Sequence, residues 1–219
     1  MNKYNKMAVL RWNCLNVLNG LKAGDMIKQL IEYSCYEMKR INIDNFMETV
    51  FLKGKECHTY GVFTQVGDKA RYFSLVTSQW NEIELYDFKG KCVVLNIYPS
   101  VDTDVCAMSV RKFNEMASLL NNVVILCVSM DLPFASSRFC AAEGIDNVIV
   151  CSAFRSPSFG RKYGVELIDG QFSGLFARGV VVIDENRRVI YSQLVNDITA
   201  EPDYDRCYEA IKLASRYGL

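Results

Sequence analysis

Short apolar runs separated by a helical pattern constrain the fold more than any other feature of the sequence. Residues 92–98, 123–129 and 148–151 are apolar, rich in β-branched side chains and bounded by polar residues or glycine, as buried central strands are. Four residues between the first two runs follow the i, i+3, i+4, i+7 spacing of one helix face: Phe113, Met116, Ala117 and Leu120. The pattern predicts a βαβ crossover.

The C-terminal part of the chain predicts a hairpin followed by a helix. Gly179 to Ile183 and Val189 to Leu194 read as two strands joined by the turn DENRR, and Tyr208 to Tyr217 reads as a closing helix with Gly218 as its stop signal. Helices, parallel strands and a late hairpin together predict a three-layer α/β sandwich, of which thioredoxin-like and flavodoxin-like folds are two forms. We find no glycine-rich phosphate loop of the GxGxxG or GxxxxGK[ST] type.

Residues 1–46 differ from the rest of the chain. Several apolar residues there are spaced like one helix face, but Gly20 and Gly24 divide the pattern in two. Two interpretations stay open: a short helical extension, or a start codon placed upstream of the true one, with Met47 as the alternative start. In either case the sequence predicts an N-terminal extension over 1–46 and a folded domain over 47–219.

Charge and hydropathy exclude several classes of partner. Lys plus Arg equals Asp plus Glu at 25 each, so no overall field attracts nucleic acid or acidic lipid. The longest aliphatic run, VVILCV from Val123, is far shorter than the roughly 18 to 20 residues of a membrane-spanning helix. No secretory signal is recognisable, because Arg11 and Asn13 interrupt the early apolar stretch. We therefore expect a cytoplasmic protein without nucleic-acid or membrane partners.

The cysteines point to thiol chemistry rather than to a metal site. Nine cysteines, an odd number, are spread along the chain, and none forms a CxxC pair. His58 is the only histidine, so a zinc site lacks its usual ligand spacing, and we expect neither metal nor organic cofactor. Cys92, Cys127 and Cys151 lie in or beside the apolar runs and are interpreted as core residues.

One cysteine occupies a position that favours its thiolate. The first apolar run leads into PSVDTDVC, where Asp102 or Thr103 can cap the following helix and Cys106 falls in its first turn. Unpaired N–H groups and the helix dipole favour an anion there. Lowering a thiol pKa from about 8.5 to about 6 needs roughly 3.4 kcal/mol, of which a helix end supplies about 0.3 to 2. Arg178, at the start of a predicted strand, is the candidate for the remainder.

Three stretches of the chain resemble one enzyme family. They are VLNIYPSVDTDVCAMSVRKFNE, VSMDLPFASSRFCAAEGIDNV and ARGVVVIDENRRVIYSQLVNDITAEPDY. From Met47 to Leu219 the sequence is similar to the bacterial thiol peroxidases, the Tpx subgroup of atypical two-cysteine peroxiredoxins. The resemblance implies a thioredoxin-like fold with a central mixed sheet flanked by helices.

The resemblance also implies a role for each matching residue. Cys106 corresponds to the peroxidatic cysteine, Pro99 shields it, Thr103 hydrogen-bonds the peroxide, Arg178 is the active-site arginine and Cys140 is the resolving cysteine. The implied reaction reduces hydrogen peroxide and organic hydroperoxides, with a preference for the latter, through a Cys106 sulfenic acid and a Cys106–Cys140 disulfide. Thioredoxin is the implied reductant, and a homodimer the implied assembly.

Two local expectations and two other functions complete the sequence-based interpretation. We expect Ser136 or Ser137 to cap a short helix that ends at Gly144 and carries Cys140, and Asp104 to face solvent. Disulfide geometry requires the two Cα atoms to lie within about 7 Å, so the turns carrying Cys106 and Cys140 are expected to unwind.

The alternative functions are a peroxide sensor that relays oxidation to a client protein, and an inactive binding module.

Overall fold

The computed structural model describes residues 47–217, with side chains up to residue 214. The predictions for residues 1–46 and for Gly218 therefore lie outside the described residues. The strands are β1 (Met47–Leu52), β2 (Lys55–Tyr60), β3 (Ser74–Thr77), β4 (Glu82–Glu84), β5 (Cys92–Ile97), β6 (Val123–Ser129), β7 (Ile149–Ser152), β8 (Glu166–Leu167), β9 (Gly179–Ile183) and β10 (Val189–Leu194). The helices are α1 (Asp104–Ser118), α2 (Pro133–Glu143), α3 (Ser158–Tyr163) and α4 (Tyr204–Tyr217), with a 3₁₀ helix at Leu85–Phe88.

A seven-stranded mixed sheet organises the domain in the order β10-β9-β5-β6-β7-β3-β4. Strands β5, β6 and β7 run parallel, and α1 connects the first two, which confirms the predicted βαβ crossover. Strands β9 and β10 pair antiparallel, which confirms the predicted hairpin. The predicted α/β fold class, a central mixed sheet flanked by helices, is therefore confirmed. No helix within residues 47–217 is long and apolar enough to cross a bilayer.

The central strands are buried on both faces, which explains why they read as continuous apolar runs. Val93, Leu95 and Ile97 of β5 belong to one apolar cluster, which also contains Phe159 and Tyr163 of α3. Val94 belongs to the opposite cluster, together with residues of α1 and α4 such as Phe113 and Ile211. Because successive side chains of a strand point to opposite faces, Asn96 faces the same side of the sheet as Val94.

Two helices begin earlier than the sequence predicts. Helix α2 starts at Pro133, so the prediction that Ser136 or Ser137 caps it is wrong; Ser136 is buried inside the helix. Proline suits the first helical position, because that N–H has no intrahelical acceptor. The expected end is correct, since Gly144 adopts the left-handed conformation with φ 62°. Helix α4 starts at Tyr204 rather than Tyr208 because the Asp203 carboxylate accepts the Arg206 N–H.

A hairpin supports the segment that follows β10. Strands β1 and β2 pair antiparallel, and β8 extends them into a three-stranded sheet. The Phe51 N–H donates to the Asn196 carbonyl over 2.7 Å, and the Ile198 N–H donates to the Phe51 carbonyl over 2.8 Å. The Asp197 carboxylate also accepts the N–H of Gly54 in the hairpin turn. The backbone at 196–198 is therefore fixed from the hairpin side.

The hairpin carries a pH-dependent ion cluster around His58. Its Nδ1 lies 2.7 Å from Asp169 Oδ2 and its Nε2 lies 3.2 Å from Glu56 Oε1. The hydrogen bond to Asp169 is the main reason why the pKa of His58 is raised above its ordinary value. The imidazolium thus contributes stability below about pH 6.5, the unfolded pKa, and that contribution is lost as pH rises through the folded pKa.

Replacing His58 should make the stability of the domain less dependent on pH. We expect His58→Gln to lower the urea midpoint at pH 5.5 and to change it little at pH 9, because the wild-type ring is neutral there. Equilibrium urea unfolding at both pH values measures the difference. An equal loss at both would show that the charge of His58 contributes nothing.

Candidate active site

Cys106 lies in the first turn of α1, as the sequence predicts. Thr103 is the N-cap residue, and the Ala107 N–H, which donates to the Thr103 carbonyl over 2.9 Å, makes the first backbone hydrogen bond of the helix. No acceptor among residues 47–217 takes up the N–H of Cys106. The thiol therefore sits at the electropositive end of the helix, where an anion is favoured.

A buried guanidinium contacts the Cys106 sulfur. Arg178 Nη2 donates to Cys106 Sγ over 3.2 Å, and its Nε donates to the Ile198 carbonyl over 2.9 Å. Cys106 is 0% and Arg178 only 1% exposed. Arg178 Nη1 is buried without a hydrogen-bond acceptor among the described residues. A charge buried this deeply is costly without an electron-rich partner, and the Cys106 sulfur is within hydrogen-bond distance of it.

Strand register explains why Arg178 reaches Cys106. Gly179, the first residue of β9, pairs with Ile97, the last residue of β5. The residue before β9 therefore lies beside the loop that follows β5 and leads to Cys106. Arg178 and Cys106 are 72 residues apart in sequence, but one antiparallel pairing brings them together.

The loop between β5 and α1 is held by contacts that sequence reasoning missed. Asp131, just after β6, accepts the Val101 N–H over 2.8 Å and the Ser129 hydroxyl over 2.9 Å. Under α1, the Ser109 hydroxyl donates to Asn96 Oδ1 over 3.0 Å, and both residues are fully buried. A polar residue in the otherwise apolar run CVVLNIY was the available signal for the second contact. These bonds fix the loop and helix that carry Cys106.

Pro99 and Thr103 lie in the same loop as Cys106. Pro99 is buried two residues after the end of β5. The Thr103 hydroxyl does not cap the helix; it donates to the Ser100 carbonyl over 3.2 Å. With its proton directed to Ser100, the hydroxyl oxygen keeps lone pairs with which it can accept a hydrogen bond. Asp104 is exposed, as expected.

Cys140 occupies a different environment on α2. It is half-buried, and burial followed by the charge of Asp146 raises the pKa of its thiol. Cys106 and Cys140 are both free thiols, each on its own helix. The two thiols therefore differ in surroundings: Cys106 contacts a guanidinium, whereas burial and the charge of Asp146 raise the pKa of Cys140.

The expectation that three further cysteines fill the core agrees with their positions. Cys92, Cys127 and Cys151 are buried. Burial raises the pKa of Cys92 and of Cys127 to about 12, and that of Cys151 well above its usual value. These thiols are protonated at neutral pH and poorly nucleophilic.

These features, a buried cysteine at a helix N-terminus in contact with an arginine and a mixed sheet flanked by helices, are those expected of a thioredoxin-like protein with a thiol in its site. The Redoxin family matches residues 65–208. The chain is 52% identical over 165 residues to a thiol peroxidase of Corynebacterium glutamicum, covering 75% of this chain and 99% of that protein.

Solved structures give the same result. A peroxiredoxin-like protein from Aquifex aeolicus superposes with a TM-score of 0.73 at 39% identity, covering 77% of this chain and 99% of that one. The thiol peroxidase from Chromobacterium violaceum shares the fold with a TM-score of 0.71 at 20% identity, over 77% of this chain and 97% of that one. The chain belongs to the redoxin family, and within it to the thiol peroxidases, which confirms the resemblance.

Removing the guanidinium should slow the chemistry of Cys106. A hydrogen bond to a charged group contributes about 1.5 to 3 kcal/mol, so Arg178→Gln should slow alkylation of Cys106 at pH 7 by about ten- to hundredfold. Peptide mass spectrometry after timed iodoacetamide treatment measures the rate at this cysteine alone. Arg188→Gln, on the exposed β9–β10 turn, is the control; equal rates in both variants would contradict the role of Arg178.

Proposed function

We propose that this thiol peroxidase reduces hydroperoxides with Cys106 as the peroxidatic cysteine and Cys140 as the resolving cysteine. The observation that carries the proposal is the 3.2 Å contact between Arg178 Nη2 and Cys106 Sγ in a buried site. A thiolate held by a cation and open helix N–H groups is the nucleophile that peroxide reduction requires.

In the first step the Cys106 thiolate attacks one peroxide oxygen. An S–O bond forms and the O–O bond breaks, so that sulfur is oxidised to a sulfenic acid and the other oxygen leaves as water or an alcohol after taking a proton. The unpartnered Nη1 of Arg178 and the N–H of Cys106 are positioned to stabilise the negative charge that develops on oxygen. Thr103 can accept the hydrogen bond of the peroxide hydroxyl, and Pro99 shields the sulfur.

In the second step the Cys140 thiol displaces hydroxide from the Cys106 sulfenic acid, giving a disulfide and water. The two cysteines lie on separate helices, and Cys106 has no exposed surface. Opening of one or both turns therefore accompanies the step. A dithiol then supplies two electrons and restores both thiols.

The remaining features of the proposal rest on the family resemblance. Thioredoxin is the reductant, the protein is a homodimer in the cytoplasm, and both hydrogen peroxide and organic hydroperoxides are substrates. Residues 47–219 form the peroxidase domain, and residues 1–46 are an extension outside it. Mass spectrometry of the protein from cells would define its N-terminus, and light scattering its oligomeric state.

Substituting each cysteine should separate the two steps. Cys106→Ser should abolish peroxide consumption, because no nucleophile remains at the helix end. Cys140→Ser should allow one turnover and leave a sulfenic acid at Cys106. Dimedone labelling and peroxide assays measure the two outcomes, with Cys57→Ser, in the β1–β2 hairpin, as the control. Full activity of Cys106→Ser would refute the proposal.

Reductant supply should distinguish turnover from signalling. With thioredoxin, thioredoxin reductase and NADPH, the wild type should consume peroxide continuously, whereas Cys140→Ser should stop after about one equivalent, because no disulfide forms for thioredoxin to reduce. NADPH absorbance follows the use of reductant, and a peroxide assay follows the single equivalent consumed by Cys140→Ser. A wild type that stalls after one equivalent, and is recovered from cells as a stable mixed disulfide, would favour the sensor instead.

A further inference from the structure

Three polar links, made by Arg111, Asn114 and Asp102, join α1 and the loop before it to α2 and the turn after it. Arg111 and Glu143 form a two-pronged ion pair, with Nε to Oε2 at 2.8 Å and Nη2 to Oε1 at 2.9 Å. Asn114 Oδ1 accepts the N–H groups of Asp146 and Asn147 over 3.1 and 2.8 Å. These residues tie the middle of α1 to the C-terminal end of α2 and the turn that follows it.

The ion pairs lie on both sides of the cysteines. Arg111 follows Cys106 by five residues and Glu143 follows Cys140 by three. A second, longer ion pair precedes both cysteines: Arg138 Nη2 lies 3.4 Å from Asp102 Oδ1. Each cysteine segment is therefore attached to the other while both thiols are free. The helices cannot separate or unwind at these points without breaking the links.

The Arg111–Glu143 pair is the stronger of the two ionic links. Both side chains are about one-third exposed, whereas those of Arg138 and Asp102 are largely exposed. Its geometry is the parallel, two-bond arrangement in which arginine binds a carboxylate most tightly. The hydrogen bond from Arg111 lowers the pKa of Glu143, so the carboxylate is ionised at neutral pH.

We propose that Arg111 and Glu143 form a latch that holds α1 and α2 together and sets how fast Cys140 reaches oxidised Cys106. This inference rests on the proposed function. The sulfenic acid has two fates: it reacts with the Cys140 thiol to give a disulfide and water, or with a second hydroperoxide to give a sulfinic acid and water or an alcohol. A tighter latch delays the first reaction and thereby favours the second. Both residues act by positioning, since neither contacts the reacting sulfur.

Glu143→Gln tests the latch. An exposed ion pair of this kind contributes enough to change an opening equilibrium by about two- to fivefold. The variant should therefore form the disulfide about two- to fivefold faster after one equivalent of peroxide, and accumulate less sulfinic acid in excess peroxide. The rate of Cys106 oxidation should stay the same. Acid quench and mass spectrometry separate the three oxidised forms.

Matched variants separate the latch from a general loss of charge. Glu166→Gln removes the carboxylate partner of Arg161, whose Nε lies 2.8 Å from Glu166 Oε2 between α3 and β8, and should leave the partition unchanged. Exchanging the two charges by Arg111→Glu with Glu143→Arg should restore the slower disulfide formation. Disulfide formation in Glu143→Gln that is no faster than in the wild type would overturn the latch.

A salt series keeps the test valid if the variant does not fold. In the wild type, raising ionic strength from about 0.05 to 0.5 M screens the exposed pair and should speed disulfide formation without changing Cys106 oxidation. A rate independent of salt would overturn the latch. If Cys106 forms no sulfenic acid under any condition, the proposed function fails and the latch fails with it. If the sulfenic acid forms, but its division between disulfide and sulfinic acid depends on neither Glu143 nor salt, the latch proposal alone fails.

Discussion

The contact between the Arg178 guanidinium and the Cys106 sulfur is the interaction on which the site depends. Arg178 is a fully buried charge that needs an electron-rich partner, and Cys106 Sγ lies 3.2 Å from its Nη2. Their contact lies at the N-terminal end of α1. The mixed sheet makes this pairing possible, because the antiparallel β9 places Arg178 at the end of the parallel β5.

The same burial creates the problem that the enzyme must solve in each cycle. In the proposed mechanism Cys106 must meet both a hydroperoxide and Cys140, yet its side chain has no exposed surface. The loop before α1 is connected to Asp131 through Val101, and α1 itself is connected to β5 through Ser109 and Asn96 and to α2 through the Arg111–Glu143 ion pair. The buried links keep the nucleophile in place, whereas the exposed ionic links can open at lower cost. In the proposed mechanism the exposed ionic links therefore open and let the helices separate, while the buried contacts remain.

Sequence patterns predicted those features that depend on local periodicity. The runs at 92–98 and 123–129 became the central strands β5 and β6, and the PSVDTDVC segment placed Cys106 in the first turn of a helix. Helix boundaries were less accurate, because Pro133 and Asp203 begin their helices earlier than the serine pattern and the apolar pattern suggest.

Contacts between distant segments could not be predicted in this way. The carbonyl that orients Arg178 belongs to the backbone of Ile198. Every residue has such a group, so the amino-acid type at this position gives no sign of the contact. Asp131 and Asn96 are polar residues whose partners become visible only when the strands are assembled. The roles assigned to Cys106, Cys140 and Arg178 stay predictions that the experiments above address, and those of Pro99 and Thr103 stay predictions as well.

The β1–β2 hairpin contributes to the position of Arg178 through the backbone at 196–198. The backbone of Phe51 hydrogen-bonds to Asn196 and to Ile198, on either side of Asp197. The Ile198 carbonyl in turn accepts a hydrogen bond from Arg178 Nε. A polypeptide that began after Leu52 would retain Cys106, Cys140, Arg178 and every strand of the seven-stranded sheet. It would nevertheless lack the Phe51 hydrogen bonds that fix the backbone at 196–198, and with them the support of the carbonyl that orients Arg178.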